Sequence, residues 1–170
     1  AAWQTLQARH DVLRTAVTWE NTAQPLQVVG RRAPLPLQLH DWRPVPPDEQ
    51  PARLNTWLAG DRARPLDPSA APLMRVNAFR LKDATWRAVW THHHMLLDGW
   101  SLPVLMREWA ACYEAARAGG AAHLPPAPPY RDFIGWIKAR DSEADRRFWQ
   151  AELAGWSAPT PLGVDRPGRN

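Results

Sequence analysis

The sequence predicts an α+β fold, and three observations carry that reading. Helix-like and strand-like segments mix without regular βαβ alternation. Two apolar runs at 73–81 and 85–93, rich in Val, Phe and Trp, flank a Lys82-Asp83-Ala84 turn. Soon after them Leu102, Leu105, Met106, Trp109, Tyr113 and Ala116 recur at helical spacing.

The elements follow in order. Residues 2–14 read as a helix with Ala2, Leu6 and Leu13 on one side. Residues 15–20 and 26–29 read as strands around a turn at 21–25, and 35–39 as a further short strand. Pro44, Pro46 and Pro47 mark a loop. A helix is expected over 48–62, where Leu54, Trp57 and Leu58 keep helical spacing. In the strand at 85–93, period two puts Trp86, Ala88, Trp90, His92 and His94 on one face and His93 on the other. Ser101 suits a helix N-cap with Pro103 in the first turn, and Gly119-Gly120 ends that helix. A Pro-rich connector at 124–129 precedes helices near 130–137 and 143–153.

Composition bounds the function. At 170 residues and 45% hydrophobic, the chain is large enough for one domain or one lobe with a real core. No apolar stretch approaches the roughly 20 residues needed to cross a membrane. The start, Ala1-Ala2-Trp3-Gln4, has neither the basic flank nor the apolar run of a signal peptide, and the chain opens inside a helix without an initiating Met. It reads as a piece of something longer. Cys112 is the only cysteine, which excludes an intrachain disulfide and a cysteine-based zinc site and agrees with a cytoplasmic location. The net charge is +4, but the arginines are scattered among acidic residues without a basic block, which argues against nucleic-acid binding.

The densest chemistry lies in His92-His93-His94-Met95-Leu96-Leu97-Asp98-Gly99-Trp100-Ser101. Imidazole is the side chain that handles protons near neutrality. A packed core gains nothing evident from three adjacent histidines. A zinc reading of His92, His94 and Asp98 is possible by donor type, but the spacing is not an established zinc pattern such as HExxH.

Residues 93–99 fit the signature HHxxxDG. Upstream, Arg9-His10-Asp11-Val12-Leu13-Arg14-Thr15 is similar to RHExLRT with Asp for Glu. Downstream, Tyr130-Arg131-Asp132-Phe133-Ile134-Gly135-Trp136 is similar to YxDFAVW with Ile and Gly in its middle. Three motifs in this order resemble the condensation domains of nonribosomal peptide synthetases, within the chloramphenicol-acetyltransferase-like superfamily. The resemblance covers nearly the whole chain. It implies a chloramphenicol-acetyltransferase-like two-layer α/β sandwich, of which residues 1–158 are the N-terminal lobe, truncated at its start. Residues 159–170, which lack periodicity, are then a linker toward a C-terminal lobe outside this chain.

The function the resemblance implies is amide formation: the amine of an acceptor aminoacyl thioester attacks the thioester carbonyl of a donor. Both substrates ride on phosphopantetheine arms of peptidyl-carrier domains, no cofactor is bound directly, and an adenylation domain adjoins in the same synthetase. By the same resemblance His94 accepts the proton or orients the amine, with His93 beside it. Asp98 pairs with Arg14 and fixes the loop. Gly99 lets the backbone turn tightly and approach the substrate. His92, Trp100 and Ser101 border the substrate tunnel, although packing suits His92 and Trp100 as well. His10 reads as structural. Trp100-Ser101 looks most like the type that joins two L-residues. The rivals are an epimerization domain of the same family, an acyltransferase using coenzyme A or a carrier, and a non-catalytic docking module.

Overall fold

The computed structural model describes residues 1–158, so the linker expected at 159–170 lies outside the described residues. The described residues form two compact units, Ala1–Tyr130 and residues 131–158.

The first helix, α1 (Ala2–Arg9), is shorter than the sequence pattern predicts. His10 is extended at φ −109°, ψ 111°, and a single 3-10 turn, Asp11–Arg14, follows. Arg14 makes this break favourable. Its Nε donates to the Gln7 carbonyl at 2.7 Å, near the helix end where carbonyls lose their intrahelical partners. The same guanidinium also bonds Asp11 Oδ1 and the Gly30 carbonyl. The break still returns Leu13 to the core beside Leu6, both fully buried.

β1 (Thr15–Thr18) and β2 (Leu26–Val29) pair as an antiparallel hairpin. Asn21 in its connection adopts the left-handed region, φ 57°, which Asn tolerates better than most residues. A separate three-stranded sheet has the order β3 (Leu37–Asp41), β4 (Met74–Arg80), β5 (Trp86–His92). β3 runs parallel to β4, so the chain must cross over between them, and α2 (Gln50–Arg62) lies in that connection. β5 returns antiparallel, with Met74 opposite His92 and Arg75 opposite Thr91.

This register sorts the sheet faces, because directly opposed residues share a side. One face carries Arg75, Phe79 and Thr91. There Phe79 stacks on His40 and meets Trp57 of α2 edge-on at 4.9 Å, with Trp42 tilted against it. The other face carries Met74, Trp90 and His92. Against it pack α1 and α3 (Ser101–Arg117), with a core of Leu6, Leu73, Met74, Leu97 and Leu105. The sheet thus has helices on both faces.

α3 is amphipathic, but its buried stripe is Leu105, Glu108 and Cys112 rather than the all-apolar stripe expected; Tyr113 is half exposed. Gly119 ends it at φ 74°, a conformation that favours glycine, and the Gly120 amide bonds back to the Ala115 carbonyl at 2.8 Å. The Pro-rich connector precedes α4 (Tyr130–Ala139). In the second unit, α5 (Ser142–Glu152) is capped by Asp141, whose side chain accepts from the Glu143 and Ala144 amides.

Candidate active site

β5 stops at His92. His93 and His94 lie beyond it, in the turn that leads to α3, so His94 does not continue the strand's face as period two predicts. The strand end is anchored. The His93 amide donates to the Leu73 carbonyl at 2.9 Å, and the His92 ring stacks on Trp90 at 4.4 Å. Trp90 in turn lies 4.8 Å from Trp3 of α1, and Trp3 lies 6.0 Å from Trp109 of α3. His92 is therefore the last ring of an aromatic ladder that ties the strand to two helices.

The two signature histidines make opposite hydrogen bonds. His94 Nδ1 lies 2.8 Å from the Leu97 carbonyl. A carbonyl only accepts, so Nδ1 carries the hydrogen, and in the neutral ring Nε2 carries the lone pair. His93 Nδ1 receives the Met95 amide at 3.2 Å, so its Nδ1 holds the lone pair and a neutral ring bears hydrogen on Nε2. His94 is exposed, whereas Leu96 and Leu97 are pegged into the core at 7% and 8% exposure. The turn thus presents one imidazole with a free acceptor nitrogen on a buried footing. Among the described residues no group of three or more His, Cys, Asp or Glu side chains is placed to hold a metal ion.

Asp98 does not pair with Arg14. Arg14 is committed to Gln7, Asp11 and Gly30. The Asp98 Oδ1 instead accepts from the Ser101 amide at 2.7 Å and the Ser101 hydroxyl at 2.6 Å. These bonds hold its carboxyl below the usual carboxylate range. Ser101 is consequently a first-turn residue rather than the N-cap. Gly99 is not in the left-handed region, and a Cβ there would meet no heavy atom within 4 Å. Gly99 lies in the turn that leads into α3, without a left-handed backbone that would require glycine. Trp100 is 89% exposed and packs on nothing that would shelter it.

The buried acid–guanidinium clasp is elsewhere. Arg9 grips Glu108 with Nε at 2.9 Å and Nη2 at 3.2 Å, and His10 Nε2 approaches the same carboxylate at 2.6 Å. Burial pushes the Glu108 carboxyl up, but the Arg9 and His10 bonds and charges outweigh it and hold it below its ordinary value. The upstream motif therefore locks α1 to α3, in keeping with a structural His10. Glu108 escapes a reading that looks only for apolar spacing, although its position three after Leu105 and four before Cys112 places it on the buried stripe. Glu108→Gln is expected to cost about 1.5–3 kcal/mol, the worth of a charged hydrogen bond, measured as a lower urea midpoint of the full domain.

A second buried carboxylate braces the strand that precedes the histidines. Asp61, 4% exposed at the end of α2, accepts from Arg75 Nε at 2.8 Å, Arg64 at 2.8 Å and Thr91 Oγ1 at 2.7 Å. Burial raises its carboxyl, but the Arg75 and Thr91 bonds and the Arg75 charge prevail and lower it. Thr91 immediately precedes His92, so α2 is fastened to the base of the histidine run.

Comparison with known proteins gives a consistent set of likenesses. The family model described as Condensation domain matches residues 1–169. A linear gramicidin synthase from Brevibacillus parabrevis is 42% identical over 168 residues, 99% of this chain and 3% of that protein. Chondramide synthase of Chondromyces crocatus is 38% identical over 169 residues, 96% of this chain and 4% of that protein. The chain thus spans a few per cent of the length of these curated relatives. Among solved structures, the starter condensation domain of rhizomide synthetase matches with a TM-score of 0.78 at 20% identity, covering 93% of this chain and 38% of that one. At that identity the likeness concerns the fold, and the fold agrees with the chloramphenicol-acetyltransferase-like expectation.

Proposed function

The chain belongs to the condensation-domain family, and on that premise we propose that it supplies the histidine-bearing lobe of a peptide-bond-forming domain. The substrates are a donor acyl or peptidyl thioester and an acceptor aminoacyl thioester, each on the phosphopantetheine arm of a carrier domain. The amine nitrogen attacks the donor carbonyl, the C–S bond breaks, and the products are an amide and a free thiol on the donor arm. The proton lost by the amine needs an acceptor. His94 Nε2 fills that role, because the Leu97 carbonyl holds the hydrogen on Nδ1 and leaves the other nitrogen bare on an exposed ring. That single observation carries the reading. Holding amine and thioester in line supplies much of the remaining acceleration, about 7–11 kcal/mol in favourable cases.

The partners that follow are donor and acceptor carrier domains, the C-terminal lobe and an adjacent adenylation domain. Among the described residues no helix is long and apolar enough to cross a membrane, and we place the reaction in the cytoplasm.

The test is dipeptide formation by the full domain with donor- and acceptor-loaded carrier proteins. Amide product that requires both loaded carriers supports the proposal. Acyl transfer to an alcohol, or inversion of a carrier-bound α-carbon without condensation, overturns it. The 170-residue chain alone is expected to form no dipeptide, since it covers only 38% of the solved starter domain. Robust turnover by the isolated chain, measured by mass spectrometry of the released product, would contradict that expectation.

A further inference from the structure

We infer that His92 is a positioning residue for His94: its ring, held against Trp90, donates to the His93 carbonyl and so helps fix the peptide from which the proposed proton acceptor rises. The inference deepens the function proposed above and rests on it for its kinetic consequence, whereas the hydrogen bond is readable without turnover.

Packing alone does not call for an imidazole at this place. His92 lies opposite Met74, which is fully buried, on the sheet face covered by α1 and α3. An apolar side chain would fill the position without the cost of drawing a polar ring out of water. The ring instead stacks on Trp90, with centroids 4.4 Å and planes 30° apart, and Trp90 rests on Trp3 of α1 at 4.8 Å. His92 Nδ1 lies 3.3 Å from the His93 carbonyl. That oxygen only accepts, so Nδ1 carries the hydrogen, in the neutral ring as in the charged one. A bond of this length is weak by itself. The stack makes it persistent, because a ring already ordered by Trp90 loses little further rotamer freedom in forming it.

The acceptor is a sensitive backbone atom. The His93 carbonyl belongs to the 93–94 peptide, whose rigid plane sets the direction in which the chain enters His94. The same oxygen accepts from the Leu96 amide at 3.1 Å, which closes the turn over 93–96. A carbonyl oxygen has two lone pairs, so it serves both donors. On the other side of His93, its amide donates to the Leu73 carbonyl at 2.9 Å, just ahead of β4. Both peptides of His93 are therefore clamped, one by Leu73 and the other by Leu96 and His92. The Trp3–Trp90–His92 ladder thus ends on the backbone atom next to His94.

The discriminating series is His92→Phe, His92→Asn and His92→Leu in the full domain. Phe keeps a flat ring over Trp90 but has no donor, Asn offers an N–H in the place of Nδ1 without the ring, and Leu has neither. Thermal melts followed by circular dichroism screen each variant for a folded state. Single-turnover amide formation with preloaded carriers should slow roughly three- to tenfold in His92→Phe, the factor equivalent of one ordinary hydrogen bond. His92→Leu should be at least as slow, and His92→Asn should stay within about twofold of wild type. KM for either loaded carrier should not change. Two NMR readings need no turnover. Long-range proton–nitrogen spectra of the wild type should show hydrogen on His92 Nδ1, and the His93 carbonyl carbon should move upfield in His92→Phe and return in His92→Asn. A wild-type rate in His92→Phe, or equal slowing in Phe and Asn, overturns the positioning role. A change confined to KM overturns it in favour of a substrate contact. A His92 ring without hydrogen on Nδ1 overturns it even if no variant folds. Should the wild-type domain form no amide, the proposed function fails while the NMR readings still decide this hydrogen bond.

Discussion

Replacing His94 with alanine in the full domain is expected to slow dipeptide formation by about 10²–10⁴-fold, the usual contribution of a positioned proton acceptor. The effect should fall on kcat rather than on the apparent affinity for either carrier, because in the proposed reaction the imidazole meets only the amine that reacts. Thermal stability should change little, since the ring is exposed and the leucines that anchor its turn are untouched. His93→Ala serves as the contrast. Its Nδ1 is occupied by the Met95 amide, so that substitution loosens the turn but removes no free acceptor. Rates measured in single turnover with preloaded carriers separate the two. A His94→Ala variant that retains near-wild-type turnover would show that orientation of the thioesters suffices without a base.

Asp61→Ala is expected to be the most damaging substitution for stability among those considered, at about 3–5 kcal/mol, because it strands the Arg75 guanidinium without its partner in a buried setting. Asp61 unites α2 with both β4 and β5, through Arg75 and Thr91, so its loss loosens the helix and the strand end together. Urea unfolding should show a lower midpoint with an unchanged slope. The pH dependence has a definite sign. The folded-state carboxyl titrates below its ordinary value, so the unfolded chain binds its proton first as the solution is acidified. The carboxylate's contribution is whole above roughly pH 4 and fades as pH falls through the folded-state value. Asp61→Asn, which cannot titrate, should show a stability gap to wild type that narrows below about pH 4.

Much of the fold is legible in the sequence because its signals are local. The strand pair β4–β5, the end of α3 at Gly119 and the hairpin connection near Asn21 follow from alternation and turn chemistry. The chloramphenicol-acetyltransferase-like class follows from three ordered motifs, whereas the turn that carries His93 and His94 off the strand does not follow from alternation. What the sequence concealed is set by specific side-chain contacts that periodicity does not register. A helical pattern over 2–14 gives no hint that Arg14 folds back onto Gln7 and splits it. A search for Asp98's partner finds Arg14 by motif, while the nearer amide and hydroxyl of Ser101 satisfy the same oxygen at lower entropic cost. Glu108 and Asp61 carry no apolar signal, and their burial shows only once Arg9 and Arg75 come beside them. Buried charge is invisible to periodicity, which registers only where apolar residues recur.

The Arg9–Glu108 contact joins residues 99 positions apart. A ribosome adding roughly 5–20 residues per second therefore leaves Arg9 waiting about 5–20 s for its carboxylate. Throughout that interval Trp3 and Leu6 have no third helix to rest on. The stretch around Trp3 and Leu6 must stay open during translation and close late, which makes slow or paused synthesis between these two points the step at which the nascent chain is most exposed to misassembly.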